Sequence, residues 1–142
     1  MSGRRILIDT SVWIEYFRNK SDALSKQVDA ILSYDEVVVP KVVIAELVQG
    51  ARSEKEISVV EGFVGAFNVV DHKEGTWERA GKISYSIRKK GRQANLTDCY
   101  IAVIARDNQS HVLTLDQHFK DIKDTAGIKL LGFNGDQLSK EQ

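Results

Sequence analysis

Apolar residues along this chain fall into two alternating rhythms. Short aliphatic and β-branched runs mark five candidate strands, over residues 5–8, 36–39, 67–70, 112–115 and, more weakly, 129–131. Three of them read as continuous apolar runs rather than alternating ones, the pattern of strands covered on both faces of a parallel sheet. Between them, apolar residues recur at helical spacing over 11–17, 22–33, 41–52, 54–66, 76–90 and 95–107. Ser53 followed by Glu56 forms the pattern of a capping box, Pro40 suits a helix start and Gly91 a helix end. The alternation predicts a single α/β domain over residues 1–142, a parallel sheet of four to five strands sandwiched between helices. Only the tail 132–142, with Gly132, Gly135 and polar residues, is expected to be loosely ordered.

Four carboxylates interrupt these apolar stretches. Asp9 ends Arg5-Ile-Leu-Ile and Asp116 ends His111-Val-Leu-Thr-Leu. Glu46 sits inside Val42-Val-Ile-Ala-Glu46-Leu-Val48, with no cationic residue three or four positions away, and Asp98 opens the run Cys99–Ala105. Carboxylates are seldom buried unless paired or bound to a metal. In open parallel sheets, ligands bind outside the carboxyl ends of the strands. Asp9 and Asp116 each follow a strand directly. Asp98 lies in the first turn of the helix that feeds strand 112–115, which must begin at that same edge. Glu46 lies in the second turn of a helix that leaves strand 36–39 from that edge. All four are therefore expected on one rim. Three also have a structural explanation on their own, Asp9 as a helix cap, Asp98 as a dipole partner and Asp116 as a turn or N-cap residue before Phe119, whereas Glu46, surrounded by Val42, Val43, Leu47 and Val48, is harder to explain that way. Their coincidence at one edge is what singles them out.

Composition narrows the chemistry. The chain has 142 residues, enough for one domain with a substantial core. Twenty basic and twenty acidic residues cancel, so a polyanionic substrate must be held by a local patch or through a metal. The single cysteine, Cys99, excludes an internal disulfide and a multi-cysteine zinc site, and its apolar surroundings suit a small core residue. Asp9 and Glu15 break any signal-peptide pattern, and no segment approaches a membrane span, so a soluble, cytoplasmic protein is expected. Clustered carboxylates repel one another unless protonated or neutralised by a cation. Oxygen-only ligands suit Mg²⁺ or Mn²⁺. Such an ion polarises a phosphoryl group and acidifies an attacking water, which fits phosphodiester hydrolysis.

The run Asp9-Thr10-Ser11-Val12-Trp13-Ile14-Glu15 resembles the opening signature of PIN-domain ribonucleases, in particular the VapC-type toxins of toxin–antitoxin pairs. Val42-Val-Ile-Ala-Glu46-Leu, Thr97-Asp98-Cys-Tyr-Ile-Ala102 and Leu113-Thr114-Leu-Asp116-Gln-His-Phe119 match in order and spacing, so the likeness spans nearly the whole chain. By resemblance the fold is PIN-like, and Asp9, Glu46, Asp98 and Asp116 form a catalytic quartet binding Mg²⁺ or Mn²⁺. Thr114, with Thr10 or Ser11, would support it. The resemblance also implies an endoribonuclease acting on structured RNA such as tRNA or rRNA. Its implied partners are a second copy of the chain and a cognate antitoxin.

Other residues carry less. The basic run Arg88-Lys89-Lys90-Gly91-Arg92 precedes the Asp98 helix and either grips RNA phosphates or complements a helix end. The structural role is preferred for Arg88 and Lys89, which leaves Arg92 as the candidate RNA contact. His118 reads as a surface histidine, and Trp13 and Phe17 as core. A phosphoacceptor receiver domain would need adjacent acids after the first strand, where Thr10 follows Asp9. A haloacid-dehalogenase phosphatase would need an aspartate where Ser11 stands, and a dinucleotide site a glycine-rich turn after the first strand. A non-catalytic PIN-like scaffold binding RNA or protein is the remaining alternative.

Overall fold

A computed structural model describes residues 3–19 and 22–133. Its strands are β1 (Arg5–Ile8), β2 (Glu36–Pro40), β3 (Asn68–Val70) and β4 (His111–Leu113). Its helices are α1 (Thr10–Arg18), α2 (Ala23–Tyr34), α3 (Lys41–Gln49), α4 (Glu54–Val64), α5 (Thr76–Lys89), α6 (Leu96–Asp107) and α7 (Phe119–Ala126). The strands form one parallel sheet in the order β3-β2-β1-β4. The chain steps from β1 to β2 to β3 in one direction, then returns past both to place β4 on the other side of β1. Right-handed crossovers accordingly put α1 to α4 on one face and α5 to α7 on the other. The packing follows: α1 meets α2 and α3, and α3 meets α4, while α5, α6 and α7 pack on one another.

This placement explains the continuous apolar runs. Ile6, Leu7 and Ile8 of β1 and Val37, Val38 and Val39 of β2 are all buried, because both faces of the central strands are covered. The edge strand β3 is only half-buried at Val69 and Val70. Helix α6 runs through the interior, with every residue from Asp98 to Ala105 buried, Cys99 among them. Trp13 is fully buried as expected, with Phe17 half-buried and stacked against it. Among the described residues, no helix is long and apolar enough to cross a membrane.

Some local expectations shift by a few residues for identifiable reasons. Ser53 caps α4 by accepting from the Glu56 amide (3.1 Å), but the Glu56 carboxylate reaches the amide of Arg52 (2.7 Å), one position before the reciprocal bond of a full capping box. Gly91 follows the α5 cap at φ +82°, the left-handed conformation glycine adopts most easily. Strand β4 ends at Leu113, because the Thr114 hydroxyl takes the amide of Asp116 (2.9 Å) and turns the chain out of the sheet. The fifth strand shrinks to a single parallel bridge between Val112 and Leu130. Helix α7 lies where none is predicted. The tail expected to be loosely ordered lies outside the described residues from position 134 onward.

Candidate active site

The strand order reverses between β1 and β4, and ligand crevices of parallel sheets form at the carboxyl end of such a switch point. Ile8 is in register with Leu113, so Asp9 and Thr114 emerge side by side. The Asp9 amide closes the ladder on the Leu113 carbonyl (2.9 Å). Although Asp9 occupies the N-cap position of α1, its side chain makes no capping bond. Its carboxylate is instead held by two hydroxyls that donate to the same oxygen, Oδ2: Ser11 Oγ at 2.9 Å and Thr114 Oγ1 at 2.8 Å. Each hydroxyl in turn accepts a backbone amide, Leu115 to Ser11 (3.0 Å) and Asp116 to Thr114 (2.9 Å). The hydroxyl protons are thereby directed at Asp9, fixing its carboxylate without neutralising it.

Asp98 arrives from the other face of the sheet, in the first turn of α6. Asn95 caps that helix, accepting the Asp98 amide (2.7 Å) and donating its side-chain amide to Asp98 Oδ2 (2.9 Å). Only 8 % of Asp98 is exposed. Burial, then the charge of Asp116 and a hydrogen bond with it, then the charge of Asp9, push the Asp98 carboxyl up to about 7, with the Asn95 bond opposing. Asp98, Asp116 and His118 each offer one ligand atom, and these lie within 4.8 Å of one another. His118 Nδ1 is 3.1 Å from Asp116 Oδ1, which also accepts the His118 amide (2.9 Å).

Glu46 stands slightly apart from this group. Its Oε1 accepts the Thr10 hydroxyl at 2.6 Å, which ties α3 to the residue next to Asp9 and leaves Glu46 half-buried on the rim. The four acids thus share one edge, with Asp98 feeling the charge of both Asp116 and Asp9 and Glu46 joined through Thr10. An all-oxygen set with one imidazole at its margin is a donor set that fits a divalent cation. Arg92 points elsewhere: its Nη1 pairs with Asp121 of α7 at 2.6 Å.

The PIN domain family model matches residues 6–124, a span that contains all four acids and all of the sheet but Arg5. The chain belongs to the PIN domain family. Within it, the chain is similar to the tRNA(fMet)-specific endonuclease VapC of Shigella flexneri, 25 % identical over 114 residues covering 78 % of this chain and 85 % of that protein. It is also similar to a VapC ribonuclease of Mycobacterium bovis, 26 % identical over 134 residues covering 90 % and 98 %. Among solved structures, it superposes on DNA-bound VapBC from Salmonella typhimurium with a TM-score of 0.74, at 25 % identity, covering 90 % of this chain and 97 % of that one.

Two residues of this PIN site escape the sequence pattern. His118 reads as an ordinary surface residue, and only the turn after Asp116 swings it against the carboxylates. Asn95 had a usable signal: a side-chain acceptor three residues ahead of an acid at a helix start is the pattern of a capping pair.

Proposed function

We propose that this chain is a metal-dependent endoribonuclease of the VapC type that cleaves structured RNA and is inhibited by a cognate antitoxin. The convergence of Asp9, Asp98 and Asp116 carries the proposal. Asp98 and Asp116 within ligand distance of each other, Asp9 close enough for its charge to act on Asp98, and Asp98 raised to about 7 make a centre poised for a counter-cation. Asp9 and Asp98 would hold Mg²⁺ or Mn²⁺ directly, with Asp116 acting through water or at a second ion. When bound, such an ion polarises the phosphodiester and makes water a better nucleophile.

The chain's own residues do the rest. Ser11 and Thr114 hold the Asp9 carboxylate, and Asn95 holds Asp98 by both its amide and its side chain. Glu46, held by Thr10, is placed to orient water or complete the ligand set. The relatives support the substrate class, since the Shigella protein is named for cleavage of a tRNA. The VapBC likeness supports an antitoxin partner, while a homodimer rests on the family resemblance alone.

The direct test incubates the purified chain with tRNA and rRNA, with Mg²⁺, with Mn²⁺ and with chelator. Cleavage should require metal and leave 5′-phosphate ends, because water rather than the ribose 2′-hydroxyl attacks phosphorus. Asp9→Asn and Asp98→Asn should abolish it while leaving the fold intact. Wild-type cleavage by either variant, or cleavage indifferent to chelator, overturns the assignment.

A further inference from the structure

We propose that the last turns of α5 form a stacking platform for single-stranded RNA, on which Tyr85 receives a base while Arg88 and Lys89 hold flanking phosphates. This rests on the nuclease proposal, since it names the surface that presents substrate to the same acidic rim. Tyr85 is 53 % exposed, with the Arg88 guanidinium carbon 5.9 Å and Lys89 Nζ 5.8 Å from its ring centroid. A tyrosine left in solvent between two cations is the combination that single-strand binders use, because every base has a face to stack and every nucleotide a phosphate to neutralise.

Hydrogen bonding at the helix end does not occupy these cations. The Ile87 and Arg88 carbonyls already have backbone donors: Lys90 and Arg92 amides reach Ile87 O (3.0 and 3.2 Å), and the Gly91 amide reaches Arg88 O (2.9 Å). Arg88 and Lys89 are therefore not needed as capping donors. Nor do they have acidic partners. Among the described residues Arg4, Arg5, Arg79 and Arg92 pair with carboxylates, whereas Arg88, Lys89 and Lys90 do not. In a chain of zero net charge, this leaves local positive charge concentrated at the end of α5.

The platform adjoins the rim. Ser84, the residue before Tyr85, donates to the Ala94 carbonyl at 2.8 Å, and the next residue, Asn95, holds Asp98. The Arg92–Asp121 pair pins the intervening segment to the first turn of α7, just beyond Asp116. Arg92 is thus a latch, whereas Arg88 and Lys89, the two that helix chemistry alone would have set aside, lie over the tyrosine ring. The occupant must be unpaired, because a base can stack on Tyr85 only once it has left its own helix.

The test is anisotropy of a fluorescent 12-nucleotide single-stranded RNA of mixed sequence, titrated in chelator so that nothing is cut. Tyr85→Ala should weaken binding roughly five- to hundredfold, and Tyr85→Phe should bind like wild type. The double variant Arg88→Glu/Lys89→Glu should weaken it further and flatten the dependence on salt by about two phosphate contacts. Wild-type affinity and salt slope in these variants would overturn the platform, as would equal loss for Tyr85→Phe and Tyr85→Ala, or no binding by the wild type. If the variants lose affinity only for an acidic peptide, the occupant is wrong. Failure of the two ideas is distinguishable: intact RNA binding without metal-dependent cleavage refutes the nuclease alone, and intact cleavage with unaltered binding in the variants refutes the platform alone.

Discussion

Replacing Asp98 by Asn should stabilise the metal-free protein at pH 8 and do so much less at pH 5. The folded-state pKa of Asp98 is raised to about 7 from 3.8, so the fold favours the protonated acid. As pH climbs from 3.8 to about 7, the unfolded chain releases this proton while the folded chain retains it, and stability falls over that window and then levels off. The full shift corresponds to a few kcal/mol, more than half of it lost between pH 5 and pH 8. The introduced amide keeps a donor for Asp116 and an acceptor for Asn95 but carries no charge. Urea denaturation in chelator at pH 5, 6.5 and 8 should show wild-type stability declining toward pH 8 while Asp98→Asn stays comparatively flat. Millimolar Mg²⁺ or Mn²⁺ should restore the wild type at pH 8 and affect the variant less. Parallel pH profiles for the two proteins, or no response of the wild type to either metal, would show that the carboxylates do not repel one another as placed.

Two further perturbations probe the groups around the acids. Thr114→Val keeps the shape but removes the donor to Asp9 and the acceptor for the Asp116 amide; it should cost about 1–3 kcal/mol by denaturation. It should also lower cleavage or metal affinity roughly ten- to hundredfold, and unaltered activity would show that Asp9 needs no such support. Arg92→Ala breaks an exposed ion pair and should cost less than about 1 kcal/mol. It should weaken RNA binding far less than Arg88→Glu/Lys89→Glu does, and an equal loss would make Arg92 a phosphate ligand after all.

Much of the fold was legible because burial leaves a mark on the chain. β1 and β2 read as strands from continuous apolar runs, and the structure covers both their faces. Helix α7 escaped because it is short and polar overall, yet Phe119, Ile122 and Ala126 are all buried, spaced as one helical face. β4 was drawn too long because Leu115 continues the apolar run, while the Thr114 hydroxyl, a side-chain bond invisible to hydropathy, ends the strand first.

The acids themselves stood out by type and local setting: a carboxylate closing or opening an apolar run announces a strand end or helix start wherever the chain later goes. Their neighbours Thr10, Ser11 and Thr114 came from the family resemblance and not from local pattern, because proximity is fixed by strand order. β4 lies beside β1 rather than β3, and that alone brings Thr114 to Asp9 across 105 positions and sets Asp98 against Asp116. Likewise the chain spells out five consecutive residues with four cations from Arg88 to Arg92, but only packing separates the one held by Asp121 from the two left beside an open tyrosine ring. Residue chemistry is written locally, whereas partners are chosen by which surfaces the core brings together.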